Sequence, residues 1–381
     1  MNDLVRNTVE PVGGFQMKGM MMRYNVFTPR LYNWCKSLGF EPGKIIPSRA
    51  FCSDESQGYP IILMTKHFGT FPFNHGRAGG IVATDRHAPH AAHGQDILII
   101  QASHVGYDPQ TKAFGTYRRT HTTHGECTAN CGKIQNVISW YSNEYKFAQQ
   151  NILLHNDNGE KIITVDNQLL REDRDDGLFL RLEKFIAADA DGQRRLLNIL
   201  STAKVFAPSR NLVERIGEAP FNGITPKPIG TRLRSDMFYF NRKFPDLVEG
   251  EHNLEHSMIG YMPQVVTAPS PALSAAQINT QIEFDRTFRT IVKEQGYKGK
   301  KVLFISGLNI DISPESDQLF PLTKFVPWAA CVQDVDGFYY TLEQQELMQL
   351  LEQQSEDNAD QIDLEQAIQM MTEVDEIGVE T

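Results

Sequence analysis

Three short pieces of the chain, CysSerAsp at 52–54, SerHisValGly at 103–106 and AsnCysGly at 130–132, bring two thiols and an imidazole into one stretch of sequence. Two thiolates and one imidazole are a good ligand set for zinc. Three protein ligands leave a fourth position for water, the catalytic arrangement, whereas structural zinc sites are closed by four. Asp54, two residues beyond Cys52, is placed to fill or guard that fourth position. The surrounding composition points the same way: eight of the eleven histidines lie between His67 and His124, and three of the five cysteines between Cys52 and Cys131. The competing reading is a set of unrelated buried cysteines behaving as small hydrophobes.

The elements around these residues would position them well. LysIleIlePro at 44–47 leads into PheCysSerAsp, so Cys52 ends a strand. His104 follows the apolar run Ile97–Ile100, which reads as a buried strand. Ile134, Val137, Ile138, Tyr141 and Tyr145 recur at spacings of three and four, predicting a helix over about 131–149 with Cys131 at its start. A helix N-terminus stabilises a thiolate, and the ends of adjacent parallel strands are where α/β sheets gather ligand sites. Ile61–Met64 reads as a further buried strand, and 302–306 as another. Helices are expected around Pro29–Leu38, at 178–187, at 192–204 and at 275–295. Residues 206–235 and 260–275, rich in Pro and Gly, read as loops. Alternating short strands and helices predict an α/β fold.

Composition bounds the rest. In 381 residues, 41% hydrophobic and 10% aromatic, there is ample material for a core. No apolar run approaches the roughly 20 residues of a membrane helix. The first residues lack the pattern of a secretory signal, so a soluble, cytoplasmic protein is expected. Of the 47 acidic residues, twelve lie in 340–381, which has no Lys or Arg. The remainder holds 35 acidic and 37 basic residues, so the net charge of −10 belongs to the tail. No basic stripe interleaved with aromatics suggests nucleic acid. The tail carries a capping-box pattern at Thr341 and Gln344 and two amphipathic stretches, read as an acidic helical pair packing on the body or docking a basic partner. The motifs of zinc deaminases, of His-Glu-x-x-His proteases and of phosphate-binding Gly-rich loops are absent. Ser103 beside His104 is no triad, because neighbours on a strand point to opposite faces.

CysSerAsp, ProPheAsnHisGlyArgAlaGly at 72–79, SerHisValGly and AsnCysGly, in that order, resemble the β-carbonic-anhydrase-like family of limiting-CO2-inducible proteins B and C, relatives of the theta-class carbonic anhydrases. The resemblance covers roughly residues 45–150. It implies a β-carbonic-anhydrase-like central sheet with flanking helices, in a zinc-binding core over 1–150. Residues 151–339 would then complete or cover the α/β fold, and 340–381 form the acidic helical tail. It implies that Cys52, His104 and Cys131 bind Zn2+, that Asp54 is the carboxylate beside it, and that zinc-bound hydroxide hydrates CO2 reversibly to bicarbonate. It also implies a homodimer or larger assembly.

Three features depart from the family's pattern or complicate it. Ser56 stands where the family's Cys-x-Asp-x-Arg would place an arginine. Arg77 is the candidate replacement partner for Asp54, with Arg86 in reserve; without either, the site would be latched shut or inactive. Cys127, in His124-x-x-Cys127, competes with Cys131 as third ligand, but only Cys131 is followed by the Gly and the helix. His87, His90 and His93 read as loop histidines able to relay protons. Two thiolates should leave zinc a weaker Lewis acid and raise the pH optimum. The alternative function is a weakly active or inactive zinc-binding relative, a scaffold or sensor in inorganic-carbon metabolism.

Overall fold

The computed structural model describes residues 14–83, 96–119, 127–244, 254–315, 317–318 and 321–372. It divides into two units. The first is Met1–Lys133 together with Ala276–Thr381, the second Ile134–Ala275. Residues after 300 return to the sheet begun before residue 110.

The first unit is built on a mixed eight-stranded sheet. Its centre is β1 (Ile45–Ala50), β2 (Asp96–Asp108), β3 (Val302–Ile312) and β4 (Leu322–Gln333). β1 and β3 flank β2 and run parallel to it, and β4 is antiparallel to β3. The expected strands at 97–100 and 302–306 are thus the first halves of longer ones. β2 and β3 alternate strictly in which face they serve, as the two-residue period of a strand requires. Leu98, Ile100, Leu303 and Ile305 join one core with Phe27, Leu31 and Met64. Ile97, Ile99, Val302 and Phe304 join the other, with Phe284, Phe288 and Ile291 packed on it. The helices behind these residues are α1 (Tyr24–Ser37) and α2 (Gly58–Phe68) on the first face, and α4 (Pro271–Lys293) on the second. Helices thus cover both faces, as parallel strands buried on two sides demand.

Ile61–Met64 lies inside α2 and is not a strand. A four-residue apolar run has no period of its own, and the flanks decide. Gly69 takes φ 72° and its N–H caps the Thr65 carbonyl, closing a helix that a strand reading cannot use. In the tail, α5 (Gln344–Glu352) buries Leu347, Met348 and Leu351 in the first-face core, and its capping box is made by Glu343 and Glu346, two residues beyond the expected pair. The last described helix, α6 (Leu364–Thr372), buries no residue.

The second unit holds most of α3 (Gly132–Asn151) and a five-stranded sheet running Leu196–Ile199, Ala203–Phe206, Glu160–Asp166, Ile152–Asp157, Lys227–Pro228. Two expected helices are corrected here. At 178–187 the chain forms a strand, Gly177–Leu180, paired with Phe238–Asn241, and then one helical turn, Leu182–Phe185. At 192–204 it forms an edge hairpin, with Ile199 opposite Lys204. Leu196, Leu197, Ile199 and Leu200 mimic a helical stripe, yet all four are exposed. The expected loops at 206–235 and 260–275 contain the short helices Arg210–Ile216 and Met262–Thr267 and the start of α4. Among the described residues, no helix is long and apolar enough to cross a membrane.

Candidate metal centre

The C-terminal end of the parallel strands collects the three residues singled out in the sequence. Cys52 follows β1 by two residues, His104 sits within β2, and Cys131 immediately precedes α3. Their ligand atoms lie within 4.8 Å of one another and all three side chains are buried. Among the described residues no other group of three His, Cys, Asp or Glu side chains is placed in this way. The two Sγ atoms are 3.6 Å apart, close to the ~3.8 Å edge of a tetrahedron with ~2.3 Å zinc–sulfur bonds. Cys127 is exposed, and its Sγ approaches Asp108 at 3.9 Å. It stands outside the cluster, so the third member is Cys131.

The orientation of His104 is set by a residue that sequence reading missed. Asp311, on β3, faces Nδ1 of His104 at 2.8 Å. The strand register explains the meeting: His104 lies opposite Asn309, and Asp311 is the next residue of β3 on the same face. Asp311 is fully buried and richly satisfied. Ser56 Oγ donates to it at 2.8 Å, Gln57 Nε2 at 2.9 and 3.0 Å, and Thr323 Oγ1 at 3.1 Å. Asn309 donates to Gln57 at 2.6 Å and accepts from the Tyr24 hydroxyl at 2.7 Å. With Nδ1 committed to the carboxylate, Nε2 of His104 is left buried without a hydrogen-bond partner. A carboxylate on the far nitrogen fixes the tautomer and ring angle of a metal-binding histidine. An unpartnered imidazole nitrogen beside two thiols is a donor set that suits zinc.

The electrostatics are those of a tightly coupled trio. The hydrogen bond with Cys131 holds the Cys52 thiol far below its ordinary range, with His104 acting in the same sense and burial against it. The same bond and burial push Cys131 up. Burial alone would lower His104, but the Asp311 hydrogen bond, with the Cys131 and Cys52 sulfurs close by, outweighs it and the imidazole is raised.

Asp54 begins the short helix Glu55–Gln57, accepting from the Ser56 N–H at 3.1 Å and from Asn130 Nδ2 at 3.5 Å. Burial raises its carboxyl above the usual range, opposed chiefly by the charge of His104. Ser56 gives its hydroxyl to Asp311 and its backbone N–H to Asp54, and a serine at this position supplies no cation. Arg77 lies half-buried on the two-residue strand Gly76–Arg77, opposite Ile81. The arginine described at the 54–57 turn is Arg119, which pairs with Glu55 and with the Thr128 hydroxyl. Its guanidinium is raised, burial opposing and the charges of Glu55 and Asp54 prevailing. Arg86, His87, His90, His93 and His124 lie outside the described residues.

The Gly-rich segment 76–80 is pressed against both strand ends. A Cβ on Gly80, which takes φ 74°, would stand 2.4 Å from the Ala102 carbonyl oxygen. No side chain fits there, and the conformation is one that glycine adopts without strain. The backbone N–H of Gly79 donates to Cys52 Sγ at 3.1 Å.

No protein-family model matches the chain, and no curated protein matches it. Solved structures do. PtLCIB4, a homolog of the limiting CO2-inducible protein LCIB, is 12% identical with a TM-score of 0.50, over 88% of this chain and 99% of that one. A mutant form of PtLCIB4 matches at 12% identity and a TM-score of 0.50, over 85% and 93% of the two chains. LCIB itself matches at 10% identity and a TM-score of 0.43, over 86% and 95%. The likeness to PtLCIB4 is one of fold: a central mixed sheet with flanking helices.

Proposed function

We propose that this chain holds zinc through Cys52, His104 and Cys131 and hydrates CO2 reversibly to bicarbonate on a β-carbonic-anhydrase-like sheet. The observation that carries the reading is the buried Nε2 of His104, unpartnered beside two thiols 3.6 Å apart, with its ring oriented by Asp311. Zinc held there would act as a Lewis acid and lower the pKa of water to about 7. The chain's own residues divide the remaining work. Asp311, held by Ser56, Gln57 and Thr323, keeps His104 in the tautomer that leaves Nε2 free. Asp54, raised by burial, accepts a hydrogen bond from the reacting water and orients it. Arg77 and Arg119 are the cations that favour an anionic product and balance Asp54. A cytoplasmic homodimer or larger assembly belongs to the same reading.

The test is stopped-flow CO2 hydration on protein of measured zinc content, with Cys131→Ala beside it. Hydration above the buffer rate that disappears with the zinc in Cys131→Ala supports the proposal. Stoichiometric zinc with no hydration overturns the catalytic part. It would favour a weak or inactive scaffold or sensor of inorganic carbon, the reading to which a neutral serine at position 56 lends weight. In an active protein, Arg77→Ala and Arg119→Ala assign the cation: the one that matters lowers kcat/KM by tenfold or more.

A further inference from the structure

One buried amide on α4 has no part in the assignment above, although it reaches the loop that touches Cys52. Asn279 is fully buried, and its Nδ2 donates to the Gly79 carbonyl at 2.9 Å and to Ser103 Oγ at 2.7 Å. An amide nitrogen carries two hydrogens, so both bonds form at once. The Gly79 carbonyl needs a donor, which fixes which end of the amide faces it. One residue on, the Gly80 carbonyl accepts from Gln101 Nε2 at 3.0 Å, and the Gly80 N–H closes a turn on Arg77 at 3.0 Å. A turn further along α4, Glu283 accepts from the Val82 N–H at 2.8 Å. The spacing of 279 and 283 places both on one helical face. That face therefore clamps the main chain of 79–82.

Gly79 and Gly80 both have positive φ and carry no side chain to hold their peptides in place. Without an external anchor, this loop has more conformations than any other pair of residues would allow. The anchor matters because the Gly79 N–H is the one backbone donor on Cys52 Sγ among the bonds described. Ser103, the second partner of Asn279, precedes His104 on β2 and points to the opposite face. The same amide thus ties the thiol's donor to the strand that carries the imidazole.

We infer that Asn279 is a positioning residue for the metal centre: it holds the Gly79 N–H on the Cys52 sulfur and so tunes how much charge that thiolate gives a bound metal. The inference rests on the metal-centre reading above. Second-layer hydrogen bonds of this kind commonly change metal affinity by about 10–100-fold. An N–H aimed at a thiolate draws charge away from the metal, so its loss moves the ligand-to-metal absorption to lower energy.

The experiment uses the full chain stripped of metal and titrated with Co2+, in wild type, Asn279→Leu and Asn279→Ser. Two quantities are read: the near-ultraviolet thiolate-to-cobalt absorption, and the Co2+ dissociation constant by competition with a chromophoric chelator. Asn279→Leu should keep the absorption, shift it to lower energy and weaken binding about tenfold or more. Asn279→Ser, which retains a hydroxyl donor, should fall between the two. If Asn279→Leu fails to melt cooperatively, Asn279→Ser is compared directly with wild type and should show the same direction. Band position and affinity equal to wild type in a folded variant overturn the inference and leave the metal reading standing. A wild-type chain with no thiolate-to-cobalt absorption overturns the metal reading, and the inference with it.

Discussion

At the carboxyl end of β2 and β3, the first unit buries a polar layer. His104, Asp311, Asn309, Ser56, Gln57 and the Tyr24 hydroxyl exchange hydrogen bonds out of reach of water. In the second unit, the edge strand Leu196–Ile199 does the reverse, with Leu196, Leu197, Ile199 and Leu200 between 37 and 66% exposed. Each arrangement opposes the usual placement of polarity, but the energetic weights differ. An unpaired buried polar group costs roughly 1–3 kcal/mol, more if charged. A few exposed aliphatic side chains cost the folded state little, because the unfolded chain exposes them too. In a buried polar layer each group left unpaired, such as His104 Nε2, costs stability, whereas an apolar edge can simply be tolerated.

This contrast can be broken or sharpened by substitution. The largest effect is expected at Asp311. Asp311→Leu removes the acceptor shared by His104, Ser56, Gln57 and Thr323, and should lower stability by about 3–5 kcal/mol. Urea unfolding at neutral pH measures it; a loss under 1 kcal/mol would show that the polar layer is not self-supporting. The isosteric Asp311→Asn should fold and bind metal about 10–100-fold more weakly.

Next comes His75, a buried imidazole with neither nitrogen partnered. Burial, with Arg49 nearby, lowers it to about 3. Its folded pKa lies below the unfolded value of about 6.5. The unfolded chain therefore takes up the proton first, and stability is lost as pH falls from 6.5 toward 3. His75→Phe should abolish that loss, gaining about 2–3 kcal/mol on wild type between pH 7 and pH 4.5. Parallel urea midpoints at the two pH values check it, and an unchanged difference would place His75 in water.

Cys127→Ala should keep metal content within error of wild type, in contrast with Cys131→Ala, as read by metal analysis. The smallest effect is expected at the exposed edge: Ile199→Thr should change stability by no more than about 0.5 kcal/mol. A loss above 1.5 kcal/mol in dilute protein would mean that this strand is covered in solution and that the contrast is false.

What sequence reading could reach follows the same division. Cys52 and Cys131 were legible because they stand just past a strand end and just before a helix start, and His104 because it follows the apolar run Ile97–Ile100, although the strand continues through it to Asp108. The helices over 131–149 and 275–295 were legible because their periodic faces are long enough to exclude a strand. Ile61–Met64 was not, since four apolar residues have no distinguishable period. The hairpin at 192–204 was misread because exposed leucines two to four apart copy a buried helical stripe. Asp311 was invisible for a different reason: it meets His104 only through strand pairing across 207 positions. Its local signal was the alternation of Asn309 and Asp311 with Leu308, Ile310 and Ile312, which continues the strand begun at 302. Asn279 left no such trace, because an asparagine on a helix does not announce which loop it holds.

The pairing of β2 with β3 also orders events during synthesis. All three side chains of the Cys52, His104 and Cys131 cluster have left the peptidyl-transfer centre by residue 131, whereas Asp311 follows 180 residues later. At about 5–20 residues per second, that interval is roughly 10–40 s. A nascent chain thus carries both thiols and the imidazole for many seconds before the carboxylate that aligns the ring exists. Metal acquired in that window would meet a histidine free in both tautomers, and its ring could be aligned only after Asp311 had been added.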